Sequence, residues 1–167
     1  MILIYYMIIA GFPCIGKTTL ANKSKDILDL ASTKFHYILE DSLISEKLKG
    51  NECGLKVNPE WPQNYINEII NSQNKYKIIF ILARDYILEE LNRIKIPYFV
   101  AVPEDGLKEE YIARAINRGN DENFIEGFQL RYNKWRNLMI SQPVEKIYLQ
   151  QGEFIEDTLK RLKIFGG

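Results

Sequence analysis

Lys17 and Thr18 close the run Gly11-Phe12-Pro13-Cys14-Ile15-Gly16-Lys17-Thr18, which spells G-x-x-x-x-G-K-T and is followed by Thr19. Each residue type in it suits a chain of phosphates. Gly11 and Gly16 allow backbone geometry that a side chain would obstruct, so the loop can turn its N–H groups inward. Lys17 brings a cation to the β and γ oxygens of a triphosphate, and Thr18 offers a hydroxyl to Mg²⁺. A helix opening at Thr18-Thr19-Leu20-Ala21 directs its N-terminal N–H groups at the same anion. The nucleotide-binding set predicted here is therefore Gly11 to Thr19, with ATP and Mg²⁺ as ligands.

Such a loop needs a strand before it and a helix after it. The apolar run through Met1–Ala10 supplies the strand, and it reads as a buried central strand of a parallel sheet. Further β-rich runs are predicted at Phe35–Leu39, Tyr76–Ala83, Pro97–Val102 and Lys146–Leu149. Helical patterns are predicted between them: Thr18 to about Leu30 with Leu20, Ile27 and Leu30 inward, Leu43–Lys49, Tyr65–Ser72, Tyr86–Arg93, Leu107–Arg118, Glu122–Ile140 and Phe154–Leu162. Gly50 to Pro62 is rich in Gly, Pro and Asn and reads as a loop. Strands alternating with helices predict an α/β fold: three αβα layers around a five-stranded parallel sheet. With 167 residues and no linker composition, a single domain over 1–167 is expected. Ligands in such sheets bind beyond the carboxyl ends of the strands. That rule directs attention to Glu40-Asp41-Ser42, Arg84-Asp85 and Pro103-Glu104-Asp105.

GFPCIGKTT resembles the phosphate loop of P-loop kinases of the nucleotide-kinase type, and the strand spacing agrees with that fold over nearly the whole chain. Together with NPEWPQNYI and YIARAINRGN, it is similar to small kinases encoded by bacteriophages. The resemblance implies an acceptor-side segment at about 41–75 and a lid-like segment at about 104–122. It implies that Asp41, after the second strand, accepts or orients the proton of an acceptor hydroxyl; helix N-capping by Asp41-Ser42 is the structural alternative, and Glu40 is a competitor. It implies that Arg84 holds an acceptor phosphate. Asp85 reads as a Walker-B-like Mg²⁺ ligand or a helix N-cap, and the intervening Ala83-Arg84 favours the cap. Arg114 and Arg118, four apart on one helix face, match the R-x-x-x-R of kinase lids, although Glu110 is spaced to pair with Arg114. Lys17, Asp41, Arg114 and Arg118 are the catalytic candidates.

Other residues carry weaker signals. Asn58–Tyr65 offers amides and aromatic faces, so Trp61 and Tyr65 either stack on an acceptor base or plug a loop. Arg131 and Arg136 share a helix with Trp135 and read as solvent-facing or as phosphate contacts. His36 is the single histidine and reads as a core or edge residue rather than a catalyst. The two cysteines, Cys14 and Cys53, make no zinc cluster, and a disulfide through Cys14 would distort the loop. Reduced thiols and the absence of a charged leader predict a cytoplasmic protein, a host's cytoplasm if phage-encoded. No run is long enough for a membrane span.

Lys+Arg and Asp+Glu each total 22, so no global field draws the chain to nucleic acid. That balance favours a small acceptor, a nucleotide, over a polynucleotide 5′ end. Arg84 favours an anionic acceptor and Asp41 a hydroxyl, so both stay open. Guanine-reading N-K-x-D and a D-x-x-G switch are missing, which counts against a GTPase. An ATPase or nucleotide-binding module without an acceptor is the remaining class. Oligomeric state is not legible.

Overall fold

A computed structural model describes residues 6–38 and 55–164. Five strands are defined: β1 (Met7–Gly11), β2 (Ile27–Asp29), β3 (Ile78–Leu82), β4 (Phe99–Pro103) and β5 (Lys146–Leu149). They form one all-parallel sheet in the order β2-β3-β1-β4-β5. Seven helices accompany them among the described residues: α1 (Lys17–Ala21), α2 (Thr33–His36), α3 (Gln63–Ser72), α4 (Asp85–Arg93), α5 (Lys108–Asn117), α6 (Glu122–Ile140) and α7 (Ile155–Arg161). The protein is thus α/β, in an arrangement compatible with three αβα layers. Among the described residues no helix is long and apolar enough to cross a membrane.

β1 and β3 are nearly continuous apolar runs because both faces of a central parallel strand are covered. Ile8, Ile9, Ala10, Ile79 and Phe80 are all buried. Register does the positioning. Gly11 pairs with Leu82 of β3 and with Ala101 of β4, so β1 and β3 end at one level and β4 runs two residues further. The chain leaving β1 and the chain leaving β3 therefore open on the same edge.

The amino-terminal third departs from the sequence expectation. The helix after the phosphate loop stops at Ala21 instead of running to Leu30, because Asn22 to Asp26 make turns, with Ser24 Oγ accepting from the Asp26 N–H at 3.2 Å. Ile27–Asp29 is then the second strand. Leu20, Ile27 and Leu30 are buried as expected. They belong, however, to a helix, a strand and the residue after it, so their helix-like spacing is a coincidence. Phe35–Leu39 is not the second strand. Thr33–His36 is one helical turn, and Tyr37 makes an isolated antiparallel bridge to Val57. The predicted helix at Leu43–Lys49 lies outside the described residues.

The carboxyl-terminal two thirds follows the expectation closely. Pro103 ends β4 rather than following it. The segment at 104–122 contains α5, which is packed down with Tyr111, Ile112 and Ala115 buried and Ile116 exposed. Residues 118–121 turn directly into α6, whose N-cap Asp121 accepts from the Phe124 N–H at 2.8 Å.

Candidate functional site

The loop between β1 and α1 is fixed by what surrounds it. A Cβ on Gly11 would lie 2.7 Å from Lys17 Cδ, so no larger residue fits without moving the lysine. Gly16 has φ of 89°, and a Cβ there would press on the Phe154 ring at 3.1 Å. Cys14 also has positive φ, 65°, which costs a residue with a side chain. Two arginines hold it there: Arg114 Nη1 donates to its carbonyl at 3.2 Å, and Arg118 Nη1 to its Sγ at 3.3 Å. Its thiol is buried and free. On the core side, Phe12 is fully buried among Tyr132, Tyr111 and Phe128, at ring distances of 5.0, 5.8 and 5.9 Å. Ile15 is also fully buried, and its carbonyl accepts from the Ile155 N–H at 2.8 Å.

Lys17 folds back into its own loop, donating to the carbonyls of Gly11 and Phe12 at 3.1 and 3.4 Å. Burial pushes its ammonium below the ordinary lysine range; the Asp29 carboxylate opposes that shift and the Arg118 charge adds to it. Thr18 Oγ1 donates to Asp29 Oδ2 at 2.6 Å. Asp29 is the carboxylate at the end of the second strand, the role the sequence reading gave to Asp41. Glu40 and Asp41 lie outside the described residues. The signal for Asp29 was present: an apolar pair ending in an acid, Ile27-Leu28-Asp29, just after polar turn residues.

Gly11–Thr19 forms one wall of a cleft of about 660 Å³. The other walls come from Leu82-Ala83-Arg84, the end of α5, one side of α6 and Phe154. Lys17, Arg84, Arg114 and Arg118 all line it, and among the described residues no carboxylate does. The arginines differ in their state. Arg114 has a side chain only 10% exposed. Besides Cys14 O it donates to Glu153 O at 2.7 Å and to Glu110 at 3.1 Å, while its guanidinium lies 4.1 Å from the Phe154 ring centre. Arg114 thus lines the cleft and is also a strut joining the loop to the β5–α7 connection, and the Glu110 pairing foreseen from spacing is present. Arg118 is exposed and has no ion pair among the described residues.

The acceptor-side expectations divide. Arg84 lines the cleft, exposed, with its guanidinium over the Trp135 ring at 5.5 Å. Tyr65 does not reach the cleft. It is fully buried, its hydroxyl donating to Leu30 O at 2.7 Å and accepting from the Leu82 N–H at 2.9 Å. It fastens the ends of β2 and β3, and burial drives its phenol well above the usual range. Trp61 lies outside the cleft lining, stacked on His36 at 4.3 Å, with His36 stacked in turn on Tyr37 at 4.2 Å. His36 thus sits at the end of a helical turn, not in a strand. Asp85 is the first residue of its helix rather than the N-cap, which is Arg84 and makes no side-chain cap; its Oδ1 accepts from the Tyr86 N–H at 2.9 Å, and it is not part of the described cleft lining. Arg136 is neither solvent-facing nor free: Nε donates to Pro103 O at 2.9 Å and Nη1 pairs with Asp105 at 2.7 Å. Arg131 is exposed. Trp135, Phe124 and Phe154 line the cleft without having been singled out beforehand.

Among the described residues no cluster of three His, Cys, Asp or Glu side chains could hold a metal. Mg²⁺ needs less, because it keeps several waters and takes one or two protein oxygens beside substrate phosphates. Thr18 Oγ1 and Asp29 Oδ2, both hard oxygens beside the loop, fit that description. No known family model matches the chain, and no curated protein matches it. The geometry of the cleft therefore carries the functional reading.

Proposed function

We propose that this protein is an ATP- and Mg²⁺-dependent phosphotransferase of the P-loop kinase type, transferring the γ-phosphoryl group to a small acceptor, a nucleotide. The observation that carries this reading is the cleft itself: four cationic side chains and the Gly11–Thr19 loop line it, and among the described residues no carboxylate is part of that lining. Such a lining desolvates and neutralises a polyanion.

In this reading the triphosphate tail lies over the loop amides, and the Lys17 ammonium exchanges the Gly11 and Phe12 carbonyls for phosphate oxygens. An acceptor oxygen forms a bond to the γ phosphorus as the bond to the β–γ bridging oxygen breaks, and ADP departs with that electron pair. Positioning and charge neutralisation supply most of the catalysis. Bound Mg²⁺ supplies further neutralisation of the phosphates, with Thr18 and Asp29 placed to hold it. Arg118, free of ion pairs among the described residues, supplies its charge to the transferring group. Arg114 keeps the loop in shape.

A second reading has one observation in its favour. Asp29 stands at the end of β2, where a carboxylate can take the proton of an acceptor hydroxyl. A nucleoside or 5′-hydroxyl acceptor would use it so. Transfer of labelled γ-phosphate to monophosphates, nucleosides, sugars and 5′-hydroxyl oligonucleotides, with and without Mg²⁺, decides between them. The proposal expects Mg²⁺-dependent transfer to monophosphates. Transfer only to hydroxyl compounds favours the second reading, and ATP binding with no acceptor-stimulated turnover in the whole panel favours a nucleotide-binding module.

A further inference from the structure

Arg84 is an unusual arginine in this chain. It is exposed, at the end of β3 and on the last extended residue before α4. Among the described residues its side chain meets only the face of Trp135. The nearest acid in sequence, Asp85, is engaged with its own helix N-terminus. The indole is itself held. Trp135 is half-buried and packs on Phe128 at 6.0 Å, and Phe128, 1% exposed, packs on Phe12 at 5.9 Å. A column of three rings thus runs from the phosphate loop to the Arg84 guanidinium. A guanidinium can keep one flat face on a ring while its in-plane N–H groups bind an anion.

We propose that Trp135 is a positioning residue, holding Arg84 open at a set distance from the loop to receive the phosphate of a nucleoside monophosphate acceptor. This rests on the phosphotransferase reading above and names its acceptor. Outside the loop the described cleft lining is mostly apolar, with Leu82, Ala83, Phe124, Trp135, Met139 and Phe154, while Thr33 and Asn117 are its uncharged polar residues. Aromatic faces such as those of Trp135 and Phe124 suit the flat base of a nucleotide.

Two measurements test it. In steady-state transfer, Trp135→Leu raises the KM for the monophosphate about tenfold while the KM for ATP and kcat stay near wild type, Trp135→Phe recovers most of the loss, and Arg84→Lys behaves as Trp135→Leu does. In the Trp61→Phe protein, where Trp135 is the single indole of the chain's two, nucleoside monophosphates change the tryptophan emission saturably without ATP, inorganic phosphate does so more weakly, and nucleosides do not. This arm needs no loss of the indole and no turnover. An unchanged monophosphate KM in Trp135→Leu, a parallel loss of ATP and acceptor affinity, or equal emission changes from nucleosides and monophosphates overturns the proposal. Emission changes as stated in a protein that transfers no phosphate would keep this site and overturn the phosphotransferase reading; transfer to monophosphates without any emission change would do the reverse.

Discussion

The two flanks of the cleft are built by different means. On the loop flank, polar atoms have assigned partners: Arg114 on two carbonyls and Glu110, Lys17 on two more carbonyls, Thr18 on Asp29. On the β3 flank, aromatic faces dominate, and among the described residues the Arg84 side chain meets only a ring. The first flank is preorganised for one shape, a chain of phosphates, and resists change. The second fixes direction and distance but leaves the donors unassigned, as a site for an incoming anion must. Donor binding and acceptor binding should therefore fail separately when each flank is altered.

The loop flank should show the largest losses. Gly11→Ala places a methyl group 2.7 Å from Lys17 Cδ, so the lysine has to leave its position. ATP binding should weaken by about 100-fold or more, read by titration calorimetry, and chemical denaturation should show a cost of about 1–3 kcal/mol for the overpacking. A near-normal affinity would mean that Lys17 is not fixed by this contact.

Arg114 and Arg118 sharpen the comparison further, because both carry the same charge on one helix face, yet among the described residues only Arg114 is tied down by carbonyls and an ion pair. Arg114→Ala strands two carbonyls and Glu110, so it should lose about 2–3 kcal/mol of stability by urea denaturation. Arg118→Ala, at an exposed residue, should stay within about 0.5 kcal/mol of wild type while turnover falls by about 100-fold. Equal stability losses in the two variants would contradict the division into strut and ligand-facing cation.

A smaller effect follows from the residue that anchors the strut. Hydrogen bonds from Arg161, with help from Gln150 N–H and Thr158, hold the Glu153 carboxyl down to about 2 from an ordinary 4.5. A depressed carboxyl adds stability that is complete above about pH 4.5 and is lost as pH falls toward 2. The stability gap between wild type and Glu153→Gln should thus be widest near neutrality and close across that window in acid denaturation. A gap that does not vary with pH would contradict it.

The smallest effect is expected beneath the loop. The Tyr111 and Tyr132 hydroxyls are buried without a hydrogen-bond partner among the described residues. Burial pushes the Tyr132 phenol up to about 12. Tyr132→Phe keeps the ring contacts to Phe12 and removes an unpaired hydroxyl. Its melting temperature should match or slightly exceed that of wild type, a change within about 1 kcal/mol. A clear loss would show that the hydroxyl has a partner.

Much of this molecule was legible beforehand where local pattern and tertiary role coincide. The apolar runs of β1 and β3 and the Gly11–Thr18 spelling each identify themselves, because continuous burial and close backbone approach restrict residue types strongly. β2 was misplaced because an edge strand of three residues carries almost no periodicity, and Phe35-His36-Tyr37 looks more extended than Ile27-Leu28-Asp29. That single error moved the strand-end acid from Asp29 to Asp41. Spacing assigned Glu110 to Arg114 and no acid to Arg118, but the strut itself was not legible, since it depends on the packing of Phe154 and Glu153 against the loop. The Arg84–Trp135 contact joins residues far apart in the chain, and no local pattern announces it.

Titration calorimetry of Mg²⁺–ATP into wild type and Lys17→Ala tests the central claim most directly. Saturable binding to the wild-type cleft, weakened about 100-fold or more in Lys17→Ala while Arg84→Ala still binds ATP, is the predicted result. A folded wild-type protein that takes up no nucleoside triphosphate at millimolar concentration, or a Lys17→Ala protein that binds as well as wild type, would contradict it.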